Sequence, residues 1–209
     1  LTITTEVGNR ADYKALGGGV FSLTMPDCKV RITASFKTKS PDDLSFVDVS
    51  ETAWYYDSVR YVVKENLMVG TTTDTFAPND NVTRAMVWAV LTRMSGATTE
   101  TDGLWYEGAQ KWAIEQGVSD GSVPMQAVTR EQLVTMLYRY NGMPKIASAE
   151  NGYKDFSDVS AWARDAMRWA LANSIITGTD ESTLSPQGTA TRAQLATLLM
   201  RLDDTLVQK

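Results

Sequence analysis

The chain has 209 residues, is 43% hydrophobic and 22% charged, and carries a net charge of -5. That is long enough for one or two globular domains with a real core, and too polar for a membrane protein. It has no histidine and a single cysteine, Cys28, which removes Ser-His-Asp and Cys-His catalysis, an internal disulfide and most transition-metal sites.

The charge is uneven. Residues 1–44 hold six basic and five acidic side chains, leaving 14 against 20 for the remainder. An acidic module lacks the basic footprint that nucleic acid requires. An anionic ligand would have to be held by local donors, without long-range steering. No apolar run reaches the roughly 18 residues that span a bilayer, so no membrane insertion is expected. The chain starts mid-pattern at Leu1 without an initiator Met, which predicts a fragment or a processed product. Asp27 and Lys29 give Cys28 no clear activation, so its role is read as structural.

In chain order, β structure comes first. Leu1–Glu6, Val20–Met25 and Lys29–Phe36 alternate apolar with polar residues, as strands do. Gly17-Gly18-Gly19 and Pro26-Asp27 punctuate them as turns. Strands with so little apolar content are marginal alone, so residues 1–40 read as the end of a β-domain that begins outside this chain. Lys39–Leu44 is the linker.

From Phe46 the period becomes helical and a repeat appears. Trp54, Trp105 and Trp162 are each followed 16 positions later by a glycine: Gly70, Gly121 and Gly178. A Thr-Arg pair comes next, as Thr83-Arg84, Thr129-Arg130 and Thr191-Arg192, with Pro78, Pro124 and Pro186 five residues before each Thr. The glycine-to-proline spacing is 8, 3 and 8, so the middle copy has lost five loop residues.

Each copy predicts two helices. The first carries an apolar stripe such as Val59, Val62, Val63 and Leu67. Ser50 or Thr52, Asp102 and Ser160 are its plausible N-caps. Asn66, Gly117 and Ser174 stand where the helix should end in a left-handed residue, a role that suits Asn and Gly better than Ser. The second helix begins at the Thr. Thr129…Gln132 and Thr191…Gln194 fit a capping box, and Thr83…Met86 does not. Trp88, Trp112 and Trp169 fall within helical stripes and are assigned to the core. A lone helix pair cannot bury its apolar face, so the copies should pack on one another. The expected fold is mainly α: repeats at 46–97, 98–143 (short loop) and 156–205, after a small N-terminal β segment.

With these columns in place the sequence resembles the S-layer homology domain, a family of bacterial cell-surface modules. Its Phe-x-Asp-Val opening is seen as Phe46-Val47-Asp48-Val49 and Phe156-Ser157-Asp158-Val159. Its Phe-x-Pro loop ending is seen as Phe76-Ala77-Pro78 and, approximately, Leu184-Ser185-Pro186. Its Thr-Arg-Ala-Glu signature reads Thr83-Arg84-Ala85-Met86, Thr129-Arg130-Glu131-Gln132 and Thr191-Arg192-Ala193-Gln194. No copy has Glu at the fourth position, and copy two lacks the opening motif. Residues 1–38 more faintly resemble the end of a β-repeat of large surface proteins of gut Firmicutes.

The family resemblance implies a pseudo-threefold bundle of repeats. It implies non-covalent attachment to the Gram-positive envelope through secondary cell wall polysaccharide, often ending in a sugar with a pyruvate ketal. The location implied is extracellular, at the cell wall or surface layer. No enzymatic activity, cofactor or metal is expected, and self-association in a surface array is the competing reading.

A pyruvate ketal presents a carboxylate. Arg84, Arg192 and Arg130, at helix starts, could grip it with a guanidinium fork beside unpaired first-turn N–H groups. Arg84 and Arg192 are favoured, because copy two has lost parts of the motif. Trp54, Trp105 and Trp162 start amphipathic helices, so core packing is the default reading, and stacking on sugar faces is the functional alternative. Asp48 and Asp158 could accept hydrogen bonds from hydroxyls, or serve only as turn residues. Gly70 and Gly178 complete the expected ligand-contacting set.

Overall fold

The computed structural model describes residues 2–5, 13–17, 20–23, 30–33, 44–99, 103–146 and 152–207. The chain divides into two compact units, 1–43 and 44–209.

In the first unit, strand β1 (Thr2–Thr5) pairs antiparallel with β4 (Val30–Thr33), Ile3 opposite Ile32. Strand β2 (Tyr13–Gly17) pairs antiparallel with β3 (Val20–Leu23), with a register irregularity between Ala15 and Gly17. β2 was not expected from the sequence. Cys28 and the Pro26-Asp27 turn lie outside the described residues.

The described residues are mainly helical. In the second unit the helices are α1 (Tyr56–Lys64), α2 (Arg84–Met94), α3 (Glu107–Glu115), α4 (Arg130–Tyr140), α5 (Arg164–Ala172) and α6 (Arg192–Val207). Three of them, α2, α4 and α6, start immediately after the Thr of a Thr-Arg pair. Thr83 and Thr129 have extended backbones, and their hydroxyls accept the N–H of Met86 and Gln132. Gln132 and Gln194 reach back to the N–H of Thr129 and Thr191, completing two capping boxes. Met86 cannot reach back, so α2 has half a box.

The ends of α1, α3 and α5 are alike. Asn66, Gly117 and Ser174 have φ of 56°, 66° and 56°. The next residue donates across the turn: Leu67 to Val62 O, Val118 to Ala113 O and Ile175 to Ala170 O, at 2.8, 2.9 and 2.8 Å. Each is a Schellman motif whose closing apolar side chain enters the core. Even Ser174 accepts the left-handed backbone.

The starts of these helices differ from expectation. Ser50 and Thr52 bond each other, and Ser160 leads a 3-10 turn at Ala161–Ala163. Asp102 lies outside the described residues. The helices begin after Tyr55, Tyr106 and Ala163, none of which makes a side-chain cap. The preceding turn, as in Ala53 N–H to Ser50 O at 3.0 Å, consumes the residues that had been read as the first helical turn.

Each of α1, α3 and α5 packs against the second helix of another repeat: α1 on α6, α3 on α2, α5 on α4. Between them, Val82 N–H donates to Ala190 O, Ala190 N–H to Val128 O and Val128 N–H to Val82 O, each at 2.9 Å. All three side chains are fully buried. The ring of bonds closes, so no edge of this short central pairing is left open.

Candidate functional site

The Thr-Arg columns sit where the repeats meet. The first two N–H groups of a helix have no partner within it. Here another repeat supplies both. Arg84 and Ala85 donate to Gln126 O and Pro124 O, Arg130 and Glu131 to Gly188 O and Pro186 O, and Arg192 and Ala193 to Asp80 O and Pro78 O, all at 2.8–3.0 Å. The unpaired first-turn donors expected from sequence are therefore occupied, and no anion clamp of bare N–H groups exists at these helix starts.

The guanidinium groups are spent largely in the same way. Arg130 donates through Nε to Leu184 O at 2.7 Å and through Nη2 to Thr177 O at 2.8 Å. Arg192 donates to Phe76 O at 2.8 Å and Val69 O at 2.7 Å, with its guanidinium carbon 4.6 Å from the Phe76 ring centroid. Arg84 donates to Ser122 O at 2.7 Å and Ser119 Oγ at 2.8 Å, and it pairs with the Asp120 carboxylate. All three arginines are buried. Desolvation pulls the pKa values of Arg130 and Arg192 below the ordinary arginine value.

Asp48 is built into a loop. Its two carboxylate oxygens accept the N–H of Phe76 at 2.8 Å and of Ala77 at 2.7 Å. Ala77 has φ of 56° ahead of Pro78, a conformation rare for a non-glycine residue, and the carboxylate helps to hold it. The third repeat corrects the sequence alignment. There Asp155, not Asp158, accepts the N–H of Leu184 and Ser185, at 2.8 and 2.7 Å. Tyr153-Lys154-Asp155 is thus the counterpart of Phe46-Val47-Asp48. Asp158 is exposed in a 3-10 turn at Phe156–Asp158.

Gly70 and Gly178 mark close approaches. A Cβ on Gly70 would lie 2.5 Å from the Phe46 ring, and one on Gly178 would lie 2.6 Å from the Tyr153 ring. Both positions require glycine for space.

The tryptophans that open each repeat are not core residues. Trp54, Trp105 and Trp162 are 66%, 54% and 53% exposed, because the turn before each helix lifts them off the stripe. Trp54 and Trp105 rest edge-on against Tyr55 and Tyr106. Trp88 and Trp169 are buried as expected, whereas Trp112 is half-buried.

Two of these tryptophans line grooves with residues from all three repeats. One groove, of 420 Å³, brings together Trp54, Arg130, Gly178, Gln194 and Arg201. The other, of 260 Å³, brings together Trp162, Arg84, Asp120, Gln132 and Arg139. Trp105, Arg192 and Gly70 occupy the corresponding columns of the remaining set.

A second arginine column was missed. Arg93, Arg139 and Arg201 stand nine residues after Arg84, Arg130 and Arg192. They donate to Leu67 O, Val118 O and Ile175 O at 2.9, 3.4 and 3.4 Å. The constant spacing was the signal available for finding them.

The S-layer homology domain model matches residues 45–85 and 152–196. The chain is 26% identical to an endoglucanase of Bacillus sp. (strain KSM-635) over 88% of its length and 21% of the relative's. It is 29% identical to an amylopullulanase of Thermoanaerobacterium thermosulfurigenes, over 77% of its length and 10% of the relative's. It is 26% identical to a cellulosome-anchoring protein of Acetivibrio thermocellus, over 60% of its length and 33% of the relative's. The chain thus spans a third or less of each of these relatives. Surface-layer proteins are also among its relatives. Together the matched domain and these relatives indicate a cell-surface, cell-wall-associated location.

Proposed function

We propose that this chain is a non-catalytic anchor that holds a larger surface protein to the Gram-positive envelope by binding secondary cell wall polysaccharide. The three repeats, which follow the N-terminal β segment in sequence, form a pseudo-threefold bundle, and the grooves between repeats receive the glycan. The observation that carries this reading is the pairing of an exposed Trp with two arginine columns in each of two inter-repeat grooves. Trp54 or Trp162 offers an aromatic face to a sugar ring. Arg201 or Arg139, less buried than the motif arginines, offers charge-assisted donors to an acidic substituent such as a pyruvate ketal.

The relatives support the reading. Two are large enzymes of which the chain matches only a small part, and another is a cellulosome-anchoring protein. Such a pattern fits a module attached to different partners. Among the described residues no cluster of His, Cys, Asp and Glu could hold a metal, and no helix is long and apolar enough to cross a membrane.

The test is sedimentation with purified Gram-positive sacculi. The chain should pellet with intact sacculi and stay in solution once the secondary polysaccharide is stripped away. Equal binding before and after stripping would overturn the proposal.

A further inference from the structure

A third cavity, of 310 Å³, lies where α2, α3 and α4 meet. It is separate from the groove tryptophans. Its walls include Trp112 and Gln116 from the α3 side, Tyr140 and Arg139 of α4, and Ala97 beyond α2. The Trp112 and Tyr140 ring centroids are 6.2 Å apart, with the planes tilted at 49°.

An exchange between repeats explains why this space is open. Helix α3 packs on α2 as α5 packs on α4. In the second pair, Tyr138 covers Trp169 at a centroid distance of 5.4 Å, and Trp169 is 2% exposed. The position of Tyr138, eight residues after the motif arginine, is Thr92 in α2. Thr92 is buried, with its hydroxyl bonded to Trp88 O at 2.8 Å. It is too small to cover an indole, so Trp112 stays half-exposed and the cavity remains.

Arg139 lines both this cavity and the Trp162–Arg84 groove. One guanidinium thus borders two spaces that a single chain of sugars could occupy in succession. The cavity offers aromatic surface for the C–H face of a ring, an amide that both donates and accepts, and a shared cation. No carboxylate is among its lining residues. Its volume falls at the low end of the ~300–1,000 Å³ typical of small-ligand sites, which suits one sugar unit.

We propose that this cavity is a second sugar subsite. It takes a neutral pyranose unit of the same polymer whose neighbouring unit lies in the Trp162–Arg84 groove, with Arg139 contacting both. The assignment rests on the polysaccharide-binding reading above, and it adds a length requirement that reading does not contain.

The experiment titrates the full chain with size-sorted fragments of purified secondary cell wall polysaccharide of one, two and three sugars. NMR reads affinity at the Trp162 indole N–H, which reports that groove alone, and also follows the Trp112 indole N–H. Affinity should rise about tenfold once the fragment reaches the second unit, the order expected for one or two added hydrogen bonds with stacking. The Trp112 resonance should shift only with those longer fragments. Gln116→Ala and Tyr140→Leu should abolish the gain while leaving single-sugar affinity unchanged. Leu is the residue at the matching position of the third repeat, Leu202, so the second variant keeps a side chain the architecture already accommodates. An undiminished gain in both variants, or a Trp112 resonance that ignores fragment length while the wild type binds, would overturn the subsite. Failure of the wild type to bind any fragment would overturn the polysaccharide reading itself, and the subsite with it.

Discussion

The Trp54–Arg130–Arg201 groove and the Trp162–Arg84–Arg139 groove use the same columns of the repeat, yet they differ in size and charge. The first measures 420 Å³ and has no carboxylate among its lining residues. The second measures 260 Å³ and contains Asp120, which pairs with Arg84. The cause is visible in the chain. Arg130 and Arg192 bond a backbone carbonyl one residue before the glycine of the repeat column, Thr177 O and Val69 O. In the shortened middle loop the residue at that column is Asp120, and Gly121 turns with φ of 73°. The aspartate side chain takes the guanidinium there. The aspartate at that column thus gives the second groove a carboxylate that the lining of the first lacks.

The same comparison reorders the arginines. Sequence reasoning favoured Arg84 and Arg192 because their copies keep more of the motif. The structure instead puts Arg130 in the larger, carboxylate-free groove, because each motif arginine serves the junction with another repeat and not its own loop. It also makes alanine substitutions of these arginines poor probes of binding, since each arginine holds two or more partners in that junction.

The largest expected effect follows directly. Arg130→Ala strands the Leu184 and Thr177 carbonyls and removes two charge-assisted bonds, so the 44–209 unit should lose about 3–5 kcal/mol of stability. The urea midpoint measures this. An unchanged midpoint would show that the junction does not depend on the guanidinium.

A smaller effect tests the charge difference. Asp120→Asn should raise the affinity of the Trp162 groove for an acidic sugar by roughly 3- to 10-fold, the order expected from removing a like charge at a few ångströms near the surface. NMR titration following the Trp162 indole should detect it. No change would mean that groove size, not charge, separates the two.

The smallest effect is in pH. The Ser122 backbone N–H, followed by the Ser122 hydroxyl and Arg84, holds the Asp120 carboxyl below its ordinary value against an opposing desolvation. A depressed carboxylate stabilises the fold fully above its unfolded pKa of about 3.9 and loses that contribution as pH falls through the lower folded value. Asp120 is largely exposed, so the loss below about pH 4 should be well under ~1 kcal/mol. Wild type and Asp120→Asn should therefore converge in melting temperature as the pH drops.

Local features were the legible part of this molecule. Caps, helix ends and the repeat columns depend on residues within a few positions, and Thr129…Gln132 or Asn66 announces itself. Partners across repeats were not legible. Nothing in Thr83-Arg84 says that its donors go to Gln126 and Ser122. The opening motif of the third repeat was misplaced because Phe156 looked right by identity. The working aspartate, Asp155, follows a tyrosine that replaces phenylalanine, so the match was made to the wrong letters. Yet Phe156 stands six residues before its Trp, whereas Phe46 stands eight before Trp54, and that mismatch was the available warning. The Thr92–Tyr138 exchange carries no local signal, because its consequence lies on another helix.

The central claim is that the Trp54–Arg130–Arg201 groove is the principal glycan site. The direct measurement is calorimetric affinity for the single-sugar fragment of purified secondary cell wall polysaccharide in Trp54→Ala and Trp162→Ala, whose exposed side chains leave the core untouched. Loss of a stacking face worth ~1.5 kcal/mol or more predicts at least about a tenfold drop for Trp54→Ala. Trp162→Ala should fall by less than about threefold, under ~0.7 kcal/mol. Equal losses, or the larger loss in Trp162→Ala, would contradict the account.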